Sequence, residues 1–287
     1  MVVSRVFQMG GRSPWRRIGL GLGCAGMLVL GSTSIHAQGK LDARYEASVA
    51  GIQVGKGSWV IDIAEDQYSA SASGGSTGLL KAVAGGSGTS ASQGRMVNGQ
   101  FAPVSYTATI TSDKKSETIR IQLVGGNIKD TSIEPEPEPT PDRIPVTDAH
   151  RHGVVDPMTG SLVRVGGTAD PVGPEACKST ASIFDGRMRY DLRLDYKRLE
   201  TVTAKGYQGP VVVCAIAFRP ISGYVPDRPA IKYLIAQRNM EVWLAPIAGT
   251  RVLVPYKVLV PTPIGMATLE ATQFVSTAAV RTTAKTQ

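Results

Sequence analysis

The sequence predicts an all-β protein: one large antiparallel sheet, curled into a β-spiral or open barrel, with one or two short helices. Three observations predict it. Apolar and polar residues alternate with period two in segment after segment, the mark of a strand with one buried face. Glycine-rich punctuation separates these segments at short intervals, as hairpins require. The chain has 287 residues, enough to bury a substantial core, and a sheet of so many strands rarely stays flat.

The amino terminus is set apart from that pattern. A basic segment through Arg17, an apolar run from Ile18 to Leu30 and a polar end from Ser32 to Ala37 have the three parts of a secretory signal. Cleavage after Ala37 and a periplasmic location are expected. The apolar run is shorter than the roughly 20 residues of a membrane span, and no later segment qualifies. Cys24 follows Gly21-Leu22-Gly23, which puts the leucine one position out of place for a lipoprotein signal. Arg16-Arg17 lacks the surroundings of a twin-arginine signal. The formal charge is +8, but Arg5, Arg12, Arg16 and Arg17 lie in this leader; without them 27 basic residues face 23 acidic ones. That balance is an ordinary surface and argues against nucleic acid.

One β-rich domain is expected from 38 to 275. Leu41, Ala43, Tyr45, Ala47 and Val49 alternate with Asp42, Arg44, Glu46 and Ser48, a half-buried strand. Gly51 to Gly57 reads as a hairpin connection. Ser58 to Ala64 returns with Trp59, Ile61 and Ile63 on one face, and Tyr68 to Ser73 gives a third strand. Leu79, Leu80 and Val83 have the spacing of a short helix that would plug the sheet or lie over an apolar ligand as a lid. Ser87 to Gly94, Pro103 to Ser112 and Glu117 to Val124 are strand-like, and Gly125-Gly126-Asn127 is a hairpin turn signal.

Alternating proline in Pro135-Glu136-Pro137-Glu138-Pro139-Thr140-Pro141 enforces extended backbone, so 134–145 is expected to be a stiff, solvated connector. A second short helix is expected within Val154 to Val165, opened by Asp156-Pro157. From Phe184 to Tyr196 a period of two puts Phe184, Met188, Tyr190, Leu192, Leu194 and Tyr196 on one face. The intervening arginines and aspartates suggest charge pairing across strands. Val211 to Phe218 is apolar on both faces and should be a central, covered strand. Ile231 to Ala236, Met240 to Pro246, Arg251 to Val260 and Ala267 to Val275 complete the strands, with a flexible tail over 276–287.

Chemistry-bearing residues are few. With Cys24 in the leader, Cys177 and Cys214 remain for an oxidising compartment, and one intramolecular disulfide is the natural inference. A redox or metal pair is the alternative, without the usual C-x-x-C spacing. His150 and His152 are the only histidines beyond the leader. With Asp148 or Asp156 they would be candidate metal ligands, against the plainer reading of a solvated pair in a loop. Gly55-Lys56-Gly57-Ser58 lacks the rest of a phosphate-loop pattern, and no G-x-S-x-G elbow occurs. No catalytic residue and no cofactor is expected.

Several stretches form an ordered set: YEASVAGIQVG from Tyr45, the short helix after SASGGSTG, HRHGVVDPMTGSLV, FDGRMRYDLRLDY and CAIAFRPISGY. Together they resemble the bacterial family DUF3108, over most of Leu41 to Val275. The resemblance implies a periplasmic β-rich protein with no known activity, and cysteines at the positions of Cys177 and Cys214 add to the expectation of a bridge. More loosely, the plan resembles the β-spiral envelope-integrity proteins of DUF1849 and the open-barrel lipoprotein carriers.

Three functions are therefore in play. The first is a non-enzymatic periplasmic protein that maintains the cell envelope by binding a partner: an envelope protein, a lipid or a peptidoglycan component. The second is a carrier of lipid or another apolar ligand in the concavity of an open barrel. The third is a metal-dependent hydrolase built on His150 and His152.

Overall fold

A computed structural model describes residues 38–78, 85–112 and 115–278. Two meanders meet to form its one antiparallel sheet. The first comprises β1 (Gly39–Val49), β2 (Ile52–Ile63), β3 (Gln67–Ser76), β4 (Gly86–Val97), β5 (Gln100–Ser112), β6 (Lys115–Val124) and β7 (Asn127–Glu134). The second comprises β9 (Thr180–Phe184), β10 (Arg189–Ala204), β11 (Tyr207–Ser222), β12 (Glu241–Pro246), β13 (Val252–Thr262) and β14 (Gly265–Ala278). Pairing of β1 with β14, from Gly39 opposite Ala278 to Val49 opposite Ala267, joins the two. The two-residue β8 (Val163–Arg164) adds to β13, which brings the sheet to fourteen strands.

β7 and β9 are the two ends of the hydrogen-bonded order, so the sheet does not close. The ends are nevertheless stitched together. Val154 donates its amide to the Gly126 carbonyl in the β6–β7 turn, while Val155 donates to Ser182 and accepts from Phe184 on β9. Arg187, just after β9, pairs with Glu117 on β6. The inner face of the curl carries the main core, to which Leu41, Ile61, Tyr68, Ile121, Phe184 and Phe274 contribute from six strands. Alternation in the sequence maps onto it directly in β1, where Leu41, Ala43 and Tyr45 are buried and Asp42 and Arg44 exposed.

Val211 to Cys214 is fully buried, as a strand covered on both faces should be. Val211 and Val213 join the main core, whereas Val212 and Cys214 join a second cluster with Val165, Val172, Ala176 and Leu253. The disulfide between Cys177 and Cys214 ties the covering segment to the strand, with 5.5 Å between the Cα atoms. The β10–β11 hairpin, 16 residues in each strand, reaches across to β14. There Lys205 donates to Thr272 and accepts from Phe274, and Tyr207, Tyr256 and Phe274 meet ring against ring.

Several expectations are corrected. The strand from Phe184 to Tyr196 is interrupted: Asp185 accepts the amides of Arg187 and Met188, Gly186 takes a positive φ, and the chain reverses between β9 and β10. Tyr196 is consequently exposed rather than in the core. Between Arg189 and Asp195 the charges pair along the strand, Arg189 with Asp191 and Arg193 with Asp195, whereas further along β10 Lys197 and Arg198 pair with Glu241 on β12. Ile231 to Ala236 is not a strand but lies in helix α1 (Pro229–Ala236), opened by a proline at its first turn. The helix expected in Val154 to Val165 shrinks to a single 3-10 turn, Thr159–Ser161, because β8 follows it and pairs with β13. Gly51 to Gly57 is not a loop: the turn is Ala50-Gly51, and Ile52 to Gly57 already belongs to β2. β14 runs on to Ala278, so Ser276 to Ala278 is strand where the tail was expected to begin. Leu79, Leu80 and Val83 lie outside the described residues, as does the leader with Cys24. Among the described residues no helix is long and apolar enough to cross a membrane.

Candidate functional site

The site begins with missing side chains. Gly57 on β2 stands opposite Gly74 on β3, which stands opposite Gly88 on β4. Gly55 and Gly75 flank that row. Residues directly opposite in a sheet share a face, and this row shares the inner face with Trp59, Ala72 and Ser90, each two residues further along its strand. Toward one end of the curl the inner face is therefore bare backbone, while deeper in it is packed. At Gly57 a Cβ would lie 2.9 Å from the Ser73 carbonyl oxygen, so glycine also lets β2 and β3 coil tightly there.

The bare floor leaves an open cavity of about 510 Å³. Tyr45, Trp59 and Tyr106 wall it, Pro157 and Met158 form its inner end, and Val258 and Leu269 line it from β13 and β14. The volume falls in the range of small-ligand sites, about 300–1,000 Å³. No side chain within it is charged away from the rim, where Lys56 is ion-paired to Glu46 at 3.1 Å. Burial keeps the phenols neutral: Tyr106 is pushed up to about 12, first by desolvation and then by Asp156 and Asp185. Tyr45 is pushed higher still by burial, and its hydroxyl donates to the Pro255 carbonyl at 2.7 Å. The buried Trp59 Nε1 has no hydrogen-bond partner among the described residues. The arrangement suits an apolar molecule, with one indole N–H available to it.

Behind Pro157 lies a buried polar knot. Asp156 is wholly buried; its Oδ1 accepts the amides of Met158 and Thr159, both at 3.0 Å. Its Oδ2 accepts the hydroxyls of Thr159 at 2.6 Å and Ser92 at 3.0 Å. Thr159 in turn meets the Tyr68 hydroxyl at 2.6 Å. Desolvation raises the Asp156 pKa, and the four hydrogen bonds work against it. The knot fixes the segment from Val154 to Leu162 inside the curl and so sets the inner end of the cavity. Asp156-Pro157 was legible as a cap; its burial was not.

The two histidines are not brought together. His150 lies in a 3-10 turn, Asp148–Arg151, and its Nδ1 accepts the Thr147 amide at 3.1 Å. His152 meets Asn127 at 2.9 Å and Asp148 at 3.1 Å. Asp156 is engaged in the knot. Among the described residues no group of three or more His, Cys, Asp or Glu side chains is placed to hold a metal. The glycine floor was the feature that sequence reasoning missed. Its signal was present as paired glycines recurring in Gly55-x-Gly57, Gly74-Gly75 and Gly86-x-Gly88, but paired glycines also mark turns.

A family model described as "Protein of unknown function (DUF3108)" matches residues 44–272, in agreement with the resemblance carried by the motifs. No curated protein matches the chain. Among solved structures, the crystal structure of a β-barrel-like protein of domain of unknown function DUF1849 from Brucella abortus is similar, with a TM-score of 0.45 and 9% identity. The match covers 84% of this chain and 98% of that one. So loose a likeness adds nothing to the fold already described.

Proposed function

For this chain, which belongs to the DUF3108 family, we propose a binding role without catalysis: a periplasmic protein that takes an apolar ligand into the open end of its curled sheet. The observation that carries this reading is the cavity floored by Gly57 and Gly74, with Gly55 and Gly75 beside them, and walled by three aromatic residues. Between the two non-enzymatic readings of the sequence, an open apolar concavity favours a carrier over a purely structural component. Envelope maintenance would then be the purpose of the binding, and the leader through Ala37 supports export to that compartment. The hydrolase reading draws no support from two histidines with separate partners.

The test is ligand content. Gently purified protein is expected to carry an adduct in native mass spectrometry that organic solvent extracts, and stripped protein to take up the uncharged fluorophore N-phenyl-1-naphthylamine. Ala72→Trp, which fills the cavity from its floor, should abolish both while leaving the circular dichroism of the sheet intact. Protein that is empty and indifferent to the fluorophore would refute the carrier. If export and envelope maintenance are right, deletion in the native host gives sensitivity to detergent; normal growth in detergent would count against that role.

A further inference from the structure

At the open end of the sheet two hairpins are locked to each other. Ala50, in the β1–β2 turn, donates its amide to the Met266 carbonyl at 3.0 Å. A Cβ placed on Gly265, the first residue of β14, would lie 2.7 Å from that of Ala50, so the two hairpin ends touch. Both stretches, Ala47 to Gly55 and Val260 to Ala267, are free of Asp, Glu, Lys, Arg and His. They expose large apolar side chains: Ile52 at 67%, Ile264 at 78%, Met266 at 38% and Leu269, at the base of the tip, at 40%. Single exposed apolar residues are ordinary. These are adjacent, on a double tip without charge, and Ala47, Gly55 and Leu269 carry the same surface on into the cavity.

The tip has a sharp inner limit. Lys257, Glu270, Glu46 and Lys56 stand directly opposite one another across β13, β14, β1 and β2. The lysines pair with the glutamates at 3.0 Å and 3.1 Å. This neutral charged row crosses the strands at the level where the apolar tip begins. From Glu46 to Ala50 is four residues, about 13 Å of strand at roughly 3.3 Å per residue. Amphipathic elements that rest on a bilayer bury their apolar face about 5–10 Å deep, so the uncharged length suffices to reach the acyl boundary while the charged row stays in the headgroup layer.

We propose that this double tip docks the protein on a lipid surface, with Ile52, Ile264 and Met266 entering the bilayer and the cavity opening toward it. The inference rests on the carrier reading for its purpose, since a ligand drawn from a membrane would enter through the docked rim. A lipid surface is favoured over a protein partner or a second copy because the tip presents no charge for recognition and is continuous with an apolar cavity that only an apolar molecule would enter.

The experiment uses the full chain with mixed phosphatidylethanolamine–phosphatidylglycerol vesicles carrying brominated acyl chains. Ile264→Trp should show tryptophan quenching above that of the unmodified chain, and Val124→Trp, exposed at the opposite end of β6, should not. The comparison is local, so lipid contacts made elsewhere in the chain cancel. The pair Ile52→Glu and Ile264→Glu should weaken the vesicle-dependent quenching of a third variant, Met266→Trp, by at least about tenfold, given the transfer cost of two isoleucines. Equal quenching at 264 and 124, or no effect of the two glutamates, would overturn the proposal. So would a shift from dimer to monomer caused by the glutamates without a change in quenching, which would assign the tip to a second copy. Uptake of N-phenyl-1-naphthylamine in vesicle-free buffer separates the two readings. Uptake kept with quenching lost in the glutamate variant supports docking, whereas quenching in a chain that never takes up the fluorophore removes the cavity's role and leaves the dock.

Discussion

Asp156 closes on Thr159 twice, accepting its amide on one carboxylate oxygen and its hydroxyl on the other. The same carboxylate reaches Ser92 on β4, so a local turn becomes a tertiary clamp. Asp156→Asn keeps an acceptor for the two amides and a donor for hydroxyls that can rotate to accept. Asp156→Ala leaves the amides of Met158 and Thr159 buried without that acceptor, while the hydroxyls of Thr159 and Ser92 keep only each other and Tyr68. The alanine variant should lose roughly 2–3 kcal/mol in urea unfolding, and the asparagine variant far less.

The same residue gives stability a pH dependence. Burial raises the Asp156 pKa above its ordinary value of 3.8, so the fold prefers the protonated form. A raised carboxylate pKa contributes stability that is present below the unfolded value and is lost as pH rises through the folded one. Asparagine does not titrate. The stability of Asp156→Asn relative to the native chain should therefore increase as pH rises from about 4. A difference that is flat with pH, or that falls, would contradict the sign.

Cys177 and Cys214 bridge a sequence separation of 37 residues. Intact protein should weigh two mass units less than reduced protein. Replacing both cysteines by alanine should lower stability by up to about 4 kcal/mol on the loop-entropy model. Because the bridge fastens the cover over Val212 and Leu244, hydrogen exchange should rise first in residues 165–177 and only later in β1 and β2.

At Gly57 the prediction separates floor from fold. A side chain there meets the Ser73 carbonyl at its first carbon and occupies the cavity with the rest. Gly57→Val is expected to cost about 1–3 kcal/mol and to abolish fluorophore uptake. Gly51→Ala, in the exposed turn where no atom lies within 4 Å of the new carbon, is strained at its positive φ but should leave uptake unchanged.

The reasons some of this was legible and some was not are physical. β1 and β11 could be read because their partners sit on known sides: one covered face gives alternation, two covered faces give a solid apolar run. β10 misled because its alternation is real while its location is not central; β9 and β11 flank it, but little lies over its outer half. Ile231 to Ala236 misled because six apolar-rich residues fit both periods, and only Pro229 distinguished a helix start. The cavity stayed hidden because a glycine inside a strand and a glycine in a turn are the same letter, and only the pairing of Gly57 with Gly74 across two strands reveals a floor. The rim stayed hidden for a related reason: Ile52 and Ile264 are 212 positions apart in sequence, and their turns meet only once β1 pairs with β14.

The open sheet needs something to hold its ends, and Arg187 with Glu117 is the charged part of that fastening. Both side chains are about one-third exposed, at 33% and 30%, so the pair is partly screened and its removal should cost only about 1 kcal/mol globally. Its local effect should be larger, because β7 and β9 are not paired with each other in the sheet and the backbone hydrogen bonds that link their ends run through Val154 and Val155. In Glu117→Gln, amide exchange in β7 and in residues 185–188 should speed up about tenfold, while β1, β2 and β14, in the middle of the strand order, stay at native rates. Uniform acceleration across the sheet would mean that the ion pair supports the whole fold; no acceleration anywhere would mean that the Val154–Val155 stitch suffices alone.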